Sequence, residues 1–343
     1  MSKNPKNLQL TGIIPNDVSS SLHQNNIQAS KNEEDSKKEN ANPHIQIHQI
    51  STSMNTENVQ EQNLPSKMNI EKEDENYSFC KEYFKETWTH LLLGEQVFYP
   101  LINKSYWLFQ NDINYKMREI LVDWIISVHD KLNMQKKTLF HCIFLIDAYL
   151  SRNLVNKKNL QLLGVTAFLI ASKQSEIIVP KLQTLSDITA NAYTKKEIND
   201  MEIRITQSFD FNILSPTADE FYGLIVEHCE FTEKQRYFGD YFLDASLVDF
   251  SLIHYKPSTL AVACGCIVRK FFNLDGAYSL LDLPFLHINK EEVRACVRDL
   301  CFCMKNLSNS FLAATKIKYL SGKYLNVAQL CQGNEWIAQI MSS

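Results

Sequence analysis

Residues 117–130, Met-Arg-Glu-Ile-Leu-Val-Asp-Trp-Ile-Ile-Ser-Val-His-Asp, combine an apolar helical pattern with three charged residues, Arg118, Glu119 and Asp123, in their first two turns. Arg118 falls on the side of Val122, Ile125 and His129 at helical spacing, which points it toward a core. A buried guanidinium needs a carboxylate, and Asp147, within the apolar run Phe-Leu-Ile-Asp-Ala-Tyr-Leu, has the mirror-image problem. The simplest solution is a bidentate pair joining two helices, a structural brace with no catalysis implied. Elsewhere the histidines, carboxylates and nine cysteines form no recognisable nucleophile or metal constellation, and there is no Gly-rich phosphate loop. Cys264 with Cys266 and Cys301 with Cys303 are C-x-C pairs inside apolar helical runs. That spacing turns the two thiols to different sides of a helix, so they read as small buried apolar residues and not as ligands.

Met117, Leu121 and Trp124, at i, i+4 and i+7 with Ile120 beside them, form a second apolar stripe next to the one carrying Arg118. Spacing leaves two readings open: a second core face, or an exposed groove for a peptide.

The elements that must position these residues are almost all helical in pattern. Lys-Met-Arg-Glu to Asp-Lys-Leu (116–132), then 136–152, 157–176, the Thr-Leu-Ser-Asp run at 184–194 and 195–211 read as five helices, of which the third is apolar all round and therefore central. Gly164, Ala167, Ala171 and Ser172 are small residues on it that allow close helix approach. After Pro216 a second series begins, in which residues 241–272 repeat the layout of 139–174: an apolar helix with an aspartate (Asp147, Asp249), a short polar link, then a small-residue helix ending in a base. The architecture expected is all-α, two tandem five-helix bundles preceded by a disordered tail and an amino-terminal helix. The boundaries are 1–75 tail, 76–116 helix and connector, 117–215 first bundle, 216–316 second bundle and 317–343 terminal segment.

The tail is dominated by Asn, Gln, Ser, Lys and Glu, without a sustained apolar period, and cannot offset the entropy of ordering it. With 343 residues, 45% of them hydrophobic, and a net charge of -4, proper cores are available and no general attraction to phosphate follows, so no nucleic-acid partner is expected. Scattered, odd-numbered cysteines fit a reducing compartment. The amino terminus lacks a signal-peptide core and no apolar run is long enough to span a bilayer, so a soluble intracellular chain with no membrane partner is expected.

The segments Met117–Trp124, Leu145–Ser151, Leu160–Lys173, Asp200–Ile205 and Lys318–Leu330 resemble the cyclin box and carboxy-terminal segment of A/B-type mitotic cyclins, with a match running from about Tyr83 to Leu330. The resemblance implies two cyclin-box folds and a non-catalytic regulator that binds and activates a cyclin-dependent Ser/Thr kinase, with no cofactor or metal, acting in the cell cycle, at G2/M, in nucleus and cytoplasm. It places the kinase contact on Lys173, Gln174, Glu176, Ile177 and Glu202, with Tyr83 and Trp88 of the amino-terminal helix. The family's aromatic after the lysine is Gln174 here, followed by Ser175, which removes apolar contact area that Ile177, Ile178, Tyr83 and Trp88 are expected to replace. It makes Met117, Ile120, Leu121, Asp123, Trp124 and Gln161 a docking patch for substrates and inhibitors bearing Arg-x-Leu, with arginine selectivity resting mainly on Asp123 because a second acidic position is Ser127. It also identifies Arg118–Asp147 as the family's buried ion pair. In the tail, Lys38, Glu39 and Asn40 resemble a degradation signal read by the anaphase-promoting ubiquitin ligase. Two rival readings of the same fold are a DNA-binding transcription factor, which should be basic, and a scaffold that binds a kinase without activating it.

Overall fold

The computed structural model describes residues 83–341 apart from 275, 277 and 334. The tail of residues 1–75, with Lys38, Glu39 and Asn40, lies outside the described residues. Among the described residues there are twelve α-helices and no strand.

The first repeat is built from α2 (Tyr115–Lys131), α3 (Lys136–Leu150), α4 (Lys157–Ser175), α5 (Leu182–Ile188) and α6 (Lys195–Ser208), following α1 (Phe84–Phe98). Local sequence fixes the helix starts. Asn114 and Asn156 accept the Met117 and Asn159 N–H groups, and Thr194 with Glu197 forms a reciprocal capping box. Helix α4 is central, buried continuously from Leu162 to Ser172. Gly164 is required there by packing: a Cβ would stand 2.7 Å from Leu121 Cδ1 of α2.

The second repeat uses α7 (Ala218–His228), α8 (Glu233–Val248), α9 (Pro257–Phe271) and α10 (Lys290–Ser308), with two 3-10 turns, Ser279–Asp282 and Pro284–Leu286, in the fourth position. Pro257 opens α9, where a missing N–H costs nothing. Helix α11 (Ala314–Tyr319) spans the boundary expected at 316/317, and α12 (Glu335–Met341) packs back on α9.

The two repeats correspond more closely than the layout comparison indicates, and at a different aspartate. Asp147 is the twelfth residue of α3 and Asp244 the twelfth of α8, so Asp244 is the counterpart, not Asp249. Asp249 instead follows α8 and accepts the Ser251 N–H at 2.8 Å, starting the 3-10 turn Phe250–His254.

Helix α1 corrects one expectation outright. Trp88 is 0% exposed: its ring packs edge-on against Phe221 and its indole N–H donates to the Leu286 carbonyl at 3.3 Å. It anchors α1 to the second repeat and offers nothing to a partner, whereas Tyr83, just before the helix, is exposed. The helix carries a second anchor in the buried Glu95, whose carboxylate accepts the Ser258 N–H and hydroxyl at 2.7 and 2.8 Å and so caps α9. The eight described cysteines are free, and Cys264, Cys266, Cys301 and Cys303 are all buried; burial pushes the Cys266 and Cys301 thiols up to about 12. Among the described residues no cluster suited to a metal occurs, and no helix is long and apolar enough to cross a membrane.

Candidate functional site

Lys173 lies in the last turn of α4, where a cation suits the carbonyl end of a helix. Its ammonium group donates to both oxygens of Glu202 on α6, at 2.6 and 2.9 Å. Helix α6 is positioned by Ile198, Met201 and Ile205, which are buried against the α4 side of the bundle and leave Glu202 at the rim. The pair is a surface feature, with the Lys173 side chain 50% exposed. An exposed pair of this kind contributes at most about 1 kcal/mol to folding, so stability does not account for its placement.

The chain beyond Lys173 departs from expectation in an instructive way. Gln174 Oε1 and Ser175 Oγ are buried without a hydrogen-bond partner. Glu176 is engaged internally: its carboxylate accepts the Gln135 N–H at 2.7 Å and the Thr138 hydroxyl, capping the start of α3. Glu176 thus fixes the turn instead of presenting a charge to a partner. Immediately after it, Ile177 and Ile178 are 97% and 84% exposed, while Val179 packs back on the core. Apolar surface is therefore offered at 177–178, between two anchors, and not at position 174.

The second stripe of α2 is divided. Met117, Ile120 and Trp124 are half-buried on α2, as is Gln161 on α4, the helix that packs against it. Leu121, expected to face solvent, is only 6% exposed because it fills the space over Gly164. Asp123 is half-buried and engaged on one side. One carboxylate oxygen accepts the Ala314 N–H at 2.9 Å, capping α11 in the absence of any cap from Ala313, and burial raises its pKa to about 6. Glu119, outwardly only a favourable charge in the first turn, accepts the Phe250 N–H at 3.3 Å.

The predicted brace is present. Arg118 Nε and Nη2 donate to Asp147 at 3.0 and 2.6 Å, and the Tyr106 hydroxyl donates to the same carboxylate at 2.9 Å. Burial disfavours the guanidinium's charge, but Asp147 outweighs it and holds the Arg118 pKa above its ordinary value. Arg118 Nη1 also donates to the Leu247 and Val248 carbonyls at the end of α8, tying the first repeat to the second.

A matching constellation in the second repeat was not foreseen. Asp244 accepts from the Lys318 ammonium at 2.7 Å and the Tyr319 hydroxyl at 2.9 Å, so in both repeats the twelfth-residue aspartate of the corresponding helix is buried against a cation and a tyrosine. Burial opposes the Asp244 charge, yet Lys318 and Lys136 hold its pKa below the usual carboxylate range. Lys136 of α3 crosses from the first repeat to Asp240, to Asp244 at 3.5 Å and to Asp219 at 3.8 Å. The signal was in the chain: Phe-Leu-Ile-Asp-Ala-Tyr-Leu and Tyr-Phe-Leu-Asp-Ala-Ser-Leu align residue for residue on Asp147 and Asp244.

Comparison with known proteins agrees with this architecture. The cyclin N-terminal domain family matches residues 87–214 and the cyclin C-terminal domain family residues 216–333. G2/mitotic-specific cyclin-B2 of Bos taurus is 32% identical over 277 residues, covering 80% of this chain and 69% of that protein. G2/mitotic-specific cyclin-B of Hydra vulgaris is 31% identical over 257 residues, 75% of this chain and 70% of its own length. Cyclin-A2-1 of Oryza sativa subsp. japonica is 30% identical over 275 residues, 77% of this chain and 55% of the rice protein. In fold, the viral cyclin from herpesvirus saimiri superposes with a TM-score of 0.54 at 18% identity, over 61% of this chain and 94% of the viral one. Two consecutive domain matches, relatives at about 30% identity and the paired helical repeats agree: the chain belongs to the cyclin family, whose members are regulatory partners of kinases and not catalysts, and within it resembles the A/B-type mitotic cyclins.

Proposed function

We propose that the chain is a regulatory subunit that binds and activates a cyclin-dependent Ser/Thr kinase, with Lys173 and Glu202 set against the kinase's regulatory helix. The exposed, bidentate Lys173–Glu202 pair carries this reading, because it is a fixed charged element at a surface where folding gains little from it. The mechanism is conformational. A partner that binds the kinase form with its regulatory helix turned inward shifts the population toward that form, completing the kinase's lysine and glutamate pair and freeing its activation loop. Differential affinity for the two kinase forms is the whole effect.

The half-buried residues of α2 and α4 are the proposed docking site for substrates and inhibitors of the Arg-x-Leu class, with Met117, Ile120 and Trp124 around the leucine and Gln161 bonding the peptide backbone. The role proposed for the complex is in G2/M progression, in nucleus and cytoplasm, with Lys38, Glu39 and Asn40 as the signal for destruction by the anaphase-promoting ubiquitin ligase. The inward-turned Gln174 and Ser175 favour one second reading, a scaffold that binds a kinase without activating it.

The test is the double variant Lys173→Ala, Glu202→Ala in a binding and kinase assay with a purified cyclin-dependent kinase. Loss of stimulation with the fold intact is expected. Full stimulation by the variant refutes the assignment, and tight wild-type binding without stimulation selects the scaffold.

A further inference from the structure

A cavity of about 100 Å³, partly open to solvent and with a predominantly apolar wall, lies at the seam between the two repeats. Phe140, Ile143 and Phe144 of α3 form it from the first repeat, and Leu252, Ile253 and, from α9, Leu260 form it from the second. Pro216 and Thr217 of the connection between the repeats line it as well. Phe140, Ile143 and Leu252 are buried, whereas Phe144, Ile253 and Leu260 are half-buried.

The polar side chains around this space are committed to partners within the chain. Arg118 and Asp147 hold each other, the Tyr99 hydroxyl donates to the His254 carbonyl, and the Tyr255 hydroxyl donates to Asp299 at 2.6 Å. The Ser246 hydroxyl donates to the Leu243 carbonyl at 2.6 Å, the Thr217 hydroxyl donates to Glu220 at 3.1 Å, and Asp249 accepts the Ser251 N–H at 2.8 Å. An ordered water needs about three polar partners, so water gains little in such a space, whereas apolar atoms gain contact with the aromatic and aliphatic wall. The volume is of the same order as the roughly 150 Å³ apolar cavity that takes benzene. Apolar spaces at the junction of two folded units are also where small-molecule sites concentrate.

We infer that this seam is a binding site for a small, uncharged, apolar ligand, the size of a single aromatic ring with a short alkyl arm. Its walls belong to both repeats, so the ligand binds the repeats in their packed arrangement and neither of them alone. Occupancy therefore stabilises the seam by mass action.

The test uses the full chain with methyl-labelled isoleucine, toluene as the probe, and benzoate and benzylammonium as its charged counterparts. Toluene should shift the Ile143 and Ile253 methyl signals saturably, with half-saturation below about 1 mM, a modest demand for a ligand of this size. The signals of the exposed Ile177 and Ile178 should stay in place. Toluene at about ten times its half-saturating concentration should raise the thermal unfolding midpoint by about 2–4 °C. Ile253→Phe, which adds volume at the half-buried wall, should weaken toluene binding about tenfold or more. Leu260→Ala, which enlarges the space, should admit naphthalene, so either variant decides the matter if the other fails to fold. Shifts that grow without saturation, or that appear equally at Ile177 and Ile178, would overturn the site. So would unchanged toluene binding in a folded Ile253→Phe chain. Tighter binding of either charged counterpart would overturn the apolar class of ligand.

Discussion

Asp147 receives two guanidinium hydrogen bonds from Arg118, at 3.0 and 2.6 Å, with both side chains only 4% exposed. Because the remaining guanidinium nitrogen reaches two carbonyls at the end of α8, the pair fixes α2, α3 and the second repeat at once. Removing either member leaves a charge buried without its counter-charge, which is far more costly than the pair's own net contribution.

Arg118→Ala should therefore destabilise the fold by about 3–5 kcal/mol, and Asp147→Ala similarly. The double replacement Arg118→Met, Asp147→Leu should cost much less than the sum of the single changes. Urea unfolding of the purified chains measures this; additive losses would show that the two residues act independently.

Trp88→Ala should lower stability by about 3–5 kcal/mol, the usual cost of emptying a fully buried aromatic site. Kinase affinity per folded molecule should stay unchanged, since the ring faces Phe221 and the second repeat. A chain of wild-type stability with weakened kinase binding would restore Trp88 to the interface.

Ile177→Ser with Ile178→Ser should leave stability within about 0.5 kcal/mol, because neither side chain contacts the core. Kinase affinity should fall roughly tenfold or more, the scale of apolar area lost with two aliphatic side chains at a contact. Calorimetric titration separates the two effects, and unchanged affinity would show that the apolar grip lies elsewhere.

Acid should act on two groups, the buried His129 and the half-buried Asp123, in opposite directions. Burial lowers the His129 pKa from 6.5 to about 4, so the unfolded chain binds its proton first and stability falls as pH drops from 6.5 toward 4, by about 3 kcal/mol in full. Asp123 is raised to about 6, so the folded chain takes up its proton first and this group adds stability as pH falls from 6 toward 3.8. His129→Gln should therefore flatten the loss of stability between pH 6.5 and 4, and Asp123→Asn should steepen it. Denaturation midpoints across that range read both slopes; identical slopes in all three chains would remove these groups from the titration.

The brace was legible because both partners are charged residues stranded in apolar helical runs, and only one helix pair brings Arg118 and Asp147 together. The helices and their order were legible for the same reason, that apolar spacing at 3.6 residues persists through each one. What spacing does not carry is contact across long chain separation. Asp123 and Ala314 are 191 residues apart, and the bond between them engages one oxygen of that acid. Trp88 likewise sits on a helix that is amphipathic by pattern, and only the distant Phe221 and Leu286 make it core. Glu176 looked like a surface charge because its partners, Gln135 and Thr138, begin a different helix.

The aspartate of the second repeat has a temporal consequence. Asp244 emerges during synthesis more than seventy residues before Lys318 and Tyr319, the groups that satisfy it. Until they appear, a nascent second repeat must hold a carboxylate whose main partners do not yet exist, with Lys136 of the earlier repeat as its nearest cation. The first repeat has Tyr106, Arg118 and Asp147 within its own first stretch of chain. Ribosome-bound chains ending before residue 318 should thus carry a settled first half and an open second half, which closes only when Lys318 and Tyr319 leave the exit tunnel.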